Sequence, residues 1–327
     1  MSVNSVSNLS ITSALTSSLQ TETSNLTQLT EQLSSGQEYT DLTDYDPSDA
    51  RNLVNLQAEA TQKNAFISVI GTVSNNLSIY DTTLSDLENV VTEAQSLSNN
   101  NPTYSADVAT NVYTQATNYL ESVTADLNQD VDGRYIFSGA RYTTPPVQNL
   151  ANLPTSTLST TIYTDNQTLP SYDTDYVAGA SPPSTSTAAY TTDSATVDTG
   201  YTVDYGITSN DPSFQEMVAG LRYLQAAGSS TDSADYKTNM EQASTLLSSA
   251  LSNIENVHTT VADNIDIISS EKTAQQTAIS NLTNQVDNIQ QVDVTQVSTE
   301  ITALETTLQA SYSVTGSILK MSIVSYL

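Results

Sequence analysis

"NQDVDGRYIFSG", residues Asn128 to Gly139, decides how the chain is divided, because it has two incompatible readings. Its first half nearly matches the start of a calcium loop, which wants oxygen ligands at positions one, three and five, Gly at six and a bidentate Glu at twelve. Those places hold Asn128, Asp130, Asp132, Gly133 and Gly139, so the closing ligand is missing. Arg134 at position seven sets a cation beside the would-be metal, and Ile136 and Phe137 follow as an apolar strand rather than a ligand loop. The stretch therefore reads as a boundary. Gly133 stops a helix by taking the left-handed conformation, and Arg134, Tyr135, Phe137 and Gly139 belong to the strand motif that follows. Strand alternation turns Tyr135 and Phe137 toward the helices and leaves Arg134, Ile136 and Ser138 outside, with Arg134 reaching a carboxylate of its own or a neighbouring copy.

Helix breakers sort the rest of the chain. Residues 1–35 hold neither Gly nor Pro, Pro47 and Pro102 bracket a stretch interrupted only by Gly71, and the 87 residues from Ser229 to Thr315 are again free of both. Each interior Gly costs about 1 kcal/mol and each Pro about 3 kcal/mol, so such intervals signal long helices. From Gly133 to Pro212 the balance reverses, with seven of the nine Pro and five of the ten Gly.

The flanks carry heptads. Leu15, Leu19, Glu22, Leu26, Leu29 and Leu33 alternate in steps of four and three, with one polar intruder at Glu22. Ile279, Leu282, Val286 and Ile289 form a second run, and Val297, Ile301, Leu304 and Leu308 a third. The eleven-residue step from Val286 to Val297 reads as a stutter that unwinds the supercoil without ending the helix. Ile70, Leu77, Leu84 and Val91 repeat every seven residues, and Val112, Ala116, Tyr119 and Val123 continue to the Gly133 stop.

Three or four long helices are expected, with the chain ends pairing antiparallel through Leu15, Leu19, Leu26, Leu29 and Leu33 on one side and Val297, Ile301, Leu304 and Leu308 on the other. The fold class is mainly α, a long antiparallel helical rod with N- and C-terminal coiled-coil helices and a small inserted β-domain. "LSTTIY" (158–163) and "YTVDYG" (201–206) are its candidate strands. A disordered Ser/Thr-rich tether is the other reading of that insert. The expected division is 1–45 with 280–327 as a terminal coiled coil, 46–140 with 210–279 as a helical bundle, and 141–209 as the β-rich insert.

Charge narrows the partners. Eight Lys and Arg stand against 36 Asp and Glu, a formal net charge of -28, so a phosphate backbone or an anionic lipid surface would be repelled. There is no Cys to form a disulfide or thiolate site, and no apolar run long enough to span a bilayer. The first basic residue is Arg51, so the N-terminus lacks the basic region of a secretory signal, and export would use another route.

Chemistry-bearing motifs are thin. His258 is the only histidine, so "ENVH" (255–258) cannot begin a two-histidine zinc motif and reads as a solvated helix residue. "SILK" (317–320) matches Ser-x-x-Lys without the companion motifs of penicillin-recognising enzymes. "DPSDA" (46–50) reads as a helix start, with Pro early and carboxylates near the positive helix end. No phosphate loop and no nucleophile with a base is present. The expectation is a non-enzymatic chain with no cofactor and no metal site.

Four motifs in order carry a resemblance. A heptad helix ending in "QLSSG" (32–36), the "DPSDA" turn, the closing "DGRYIFSGA" (132–140) and the final "LQASYSVTGSILKMSIVSYL" (308–327) together resemble the flagellin family over roughly residues 1–140 and 210–327. "DGRYIFSG" and the "SYL" ending look more like members at the hook–filament junction than like filament subunits. The chain departs from the family in having no Lys or Arg before Arg51, and in "HTTVADNIDII" (258–268), where relatives often carry an Arg-containing segment. The resemblance implies a secreted, self-associating axial protein of the bacterial flagellum, exported without a cleaved signal peptide. Its partners would be itself, hook-associated protein, flagellin and an export chaperone. A filament-forming flagellin and an extracellular coiled-coil adhesin remain the other readings.

Overall fold

The computed structural model describes residues 3–147, 149–152 and 191–324. The chain is mainly α, with six helices among the described residues: α1 Val3–Ser35, α2 Pro47–Asn100, α3 Ala106–Leu127, α4 Pro212–Gly228, α5 Ser233–Gln290 and α6 Val294–Val324. Two antiparallel hairpins join them, β1 Asp130–Val131 with β2 Arg134–Tyr135, and β3 Ser194–Asp198 with β4 Tyr201–Asp204. The second hairpin includes the expected strand at 201; the expected strand at 158–163 lies outside the described residues.

The chain forms two compact units, a central one of residues 63–276 and a terminal one of 1–62 with 277–327. The boundaries between them fall inside α2 and α5.

The central unit holds the main core. Along α2, Ile70, Val73, Leu77, Tyr80, Leu84, Leu87 and Val91 recur at three- and four-residue spacing and are buried. Val112, Ala116, Leu120, Val123 and Leu127 do the same on α3, and Tyr236, Met240, Ala243, Leu247, Ala250 and Ile254 on α5. Helix α4 is buried along nearly its whole length, the polar Gln215, Arg222 and Gln225 together with its apolar residues. It starts at Pro212 behind Asp211, whose carboxylate accepts the Ser213 N–H.

Two expectations are corrected here. First, the helix before the opening stretch ends at Leu127, capped by Asn128, and not at Gly133. Asp132 and Gly133, at φ +53° and +79°, are instead the two turn residues between β1 and β2. Such a turn needs positive φ at both positions, which Asp-Gly supplies most readily. The strand ends at Tyr135, so alternation does not reach Phe137. The backbone turns instead, and Ile136, Phe137 and Ser138 are all buried while Tyr135 is half-buried.

Second, the helix beginning after Ser229 does not run to Thr315. It stops at Gln290 and restarts at Val294, where Asp293 Oδ1 accepts the N–H groups of Thr295 and Gln296. An apolar step read as a stutter is a capped break. The sequence carried the signal, because Asp293 followed by Gln296 is the pattern of a capping box just ahead of the apolar Val297.

Candidate functional site

In the terminal unit α1 packs along α6. Just beyond the α1 C-terminus, Gln37 pairs with Gln291, Glu38 N–H donates to Gln290 O at 2.7 Å, and Val292 N–H donates to Gly36 O at 3.1 Å. The end of α1 therefore lies beside the start of α6, and the packed pair runs antiparallel. Gly36 takes φ +72° to make this turn.

The heptad positions of the two helices are thinly covered. Val297 and Leu308 are buried; Leu15, Leu19, Leu26, Leu29, Ile301 and Leu304 are half-buried, and Leu33 is exposed. Ile11, Val294, Tyr312 and Val314 are exposed as well, Tyr312 by 58%. Glu22 is half-buried within the seam; one oxygen accepts from the Ser18 hydroxyl, and the other is buried with no hydrogen-bond partner among the described residues. Among the described residues the terminal unit buries five hydrophobic side chains, Tyr45, Leu53, Leu282, Val297 and Leu308, against forty in the central unit. At about 1.5–3 kcal/mol for each large side chain, so few hold the terminal helices only marginally.

The surface of the pair is also poor in charge. Helices α1 and α6 carry four of the 36 acids and one of the eight basic residues. Their polar residues are largely Thr and Ser, and many of these bond their own backbone: Thr23 to Leu19 O, Thr27 to Thr23 O and Thr30 to Leu26 O on α1, and Thr299, Thr302 and Thr306 each four residues back on α6. Ser317 of the Ser-x-x-Lys stretch does the same with Ser313 O.

The residues of the opening stretch have separate tasks. Asn128 exchanges two hydrogen bonds with the Val147 backbone, and Asp130 accepts the Gly133 N–H. Among the described residues no group of three His, Asp or Glu converges on a metal position. Phe137 stacks edge-on between Tyr80 and Phe214, with centroids 5.1 and 5.9 Å away. Gly139 takes φ +60° in the following turn. Arg134 stays exposed, its guanidinium 3.8 Å from the Tyr142 ring, and Tyr142 donates to Asp193. Burial pushes the Asp193 carboxyl up, and Arg134 pulls it part of the way back. A carboxylate of its own chain is thus within Arg134's electrostatic reach.

His258 is not the solvated residue expected. Its Nδ1 lies 2.8 Å from Glu88 Oε1 and its Nε2 2.9 Å from Asp81 Oδ1, tying α5 to α2. Nothing local announces this contact, since the partners are 170 and 177 residues away.

No protein-family model matches the chain, and no curated protein matches its sequence. Among solved structures it is similar to that of a Vibrio parahaemolyticus protein described as flagellar hook-associated, with a TM-score of 0.56 over 76% of this chain and all of the other, at 14% identity. The likeness is one of fold.

Proposed function

We propose that this chain is a self-associating structural subunit of the bacterial flagellum, working outside the cell as an axial protein that joins hook to filament, and that it catalyses no reaction. The observation that carries the proposal is the thin seam of the terminal unit. Two long helices with half-exposed Leu and Ile rows and little charge are built to be covered by further helices. Copies of the same chain, or neighbouring hook-associated protein and flagellin, supply such helices. The fold likeness to a protein described as flagellar hook-associated supports the choice of organelle, and so do the four ordered motifs of the sequence.

Electron microscopy of cells lacking the gene tests the role. Bare hooks, with filament protein released into the medium, are expected. Loss of the filament protein itself would make this chain the filament subunit, and normal filaments would overturn the proposal. In dilute solution residues 15–33 and 297–308 should exchange their amide hydrogens readily, because a marginal pair opens often. Strong protection of those segments in the monomer would show that the pair needs no cover.

A further inference from the structure

Helix α2 presents Asp81 and Glu88 two turns apart on one face, and α5 inserts His258 between them. Both ring nitrogens sit within hydrogen-bond distance of a carboxylate oxygen. A carboxylate only accepts, so both contacts require a proton on each nitrogen, which only the imidazolium has. A neutral ring would keep one bond and turn a lone pair on the other carboxylate at under 3 Å.

We propose that His258 is a proton-operated clasp between α2 and α5, closed while the ring is doubly protonated and loosened when one proton leaves. Desolvation opposes the charged ring, the Glu88 and Asp81 carboxylates favour it, and the balance holds its titration above the ordinary value. On α5 itself the nearest carboxylate along the helix is Glu255, one turn before His258 and exposed. The raised folded-state value fixes the sign. The contribution is fully present below the unfolded value of 6.5 and is lost as pH rises through the higher folded value. The clasp lies within the central unit and is independent of the assembly role.

The chain has one histidine, so its imidazole C–H resonances in a proton NMR spectrum of the dilute full-length protein need no assignment. A midpoint above 6.5 is expected, falling to 6.5 or below in an Asp81→Asn, Glu88→Gln double variant. Amide exchange at 81–88 and 254–262, corrected for its intrinsic pH dependence, should quicken about tenfold across the midpoint in the native chain and stay level in the double variant. A native midpoint at or below 6.5, exchange indifferent to the titration, or the same quickening in the double variant would each overturn the clasp.

Discussion

Two glycines of the central unit are needed for different reasons. Gly133 has open space where a Cβ would stand, so only its φ of +79° matters, and Gly133→Ala should cost about 1–2 kcal/mol. At Gly228 a Cβ would meet the Tyr113 backbone nitrogen at 2.4 Å, forcing α4 away from α3. Gly228→Ala should therefore lower stability by about 3 kcal/mol or more, and thermal melting of the two variants separates the cases. Phe137→Ala should cost about 3–5 kcal/mol, whereas Arg134→Ala, at an exposed stacked site, should leave the monomer's melting within about 1 kcal/mol of native. Asp126 offers a pH test. Burial, then the Asp86 carboxylate, push it up to about 6 from 3.8. Its ionised form is thus disfavoured by folding, so the penalty is absent below pH 3.8, grows through that window and is complete above 6. Asp126→Asn should raise stability by about 1 kcal/mol at pH 8, after allowance for its partial exposure, and by nothing near pH 3.5. Of these features, the Asp-Gly turn is legible in the sequence, since the same Gly that can stop a helix also fits the second position of a hairpin turn. The Gly228 contact and the His258 clasp were not legible, because each joins residues distant along the chain.

At the scale of elements, the sequence was most informative where breakers punctuate it. Helix α2 spans Pro47–Asn100, filling the interval between Pro47 and Pro102, and Gly71 passes through its interior without breaking it. Nothing between α5 and α6 is Gly or Pro; their break is made by the Asp293 cap and by backbone bonds to Gly36 and Glu38 from the other end of the chain. The cap is local and legible in Asp293 and Gln296, whereas the backbone bonds are tertiary and are not. Asp293→Ala removes the acceptor for two amides and should cost about 1 kcal/mol. Hydrogen exchange should locate that loss in the first turn of α6, with the α5 interior unchanged.

At the scale of the whole molecule, a charge of -28 sets the conditions for assembly. Copies repel over distances that salt shortens to about 10 Å at 0.1 M. Light scattering of dilute subunits should show association accelerating as sodium chloride rises from 10 to 300 mM; acceleration by dilution of salt would contradict the expectation that the seam is apolar and the repulsion lies elsewhere. The uneven division of core between the units was legible as narrow heptads flanked by Thr, Ser, Asn and Gln. The threonines that bond their own backbone carry this further. With the hydroxyl turned back on the carbonyl four residues earlier, what each Thr offers to the outside is its methyl group. An approaching helix has few hydroxyls to strip of water and many methyls to touch, so a surface that composition scores as polar can be dried at little cost.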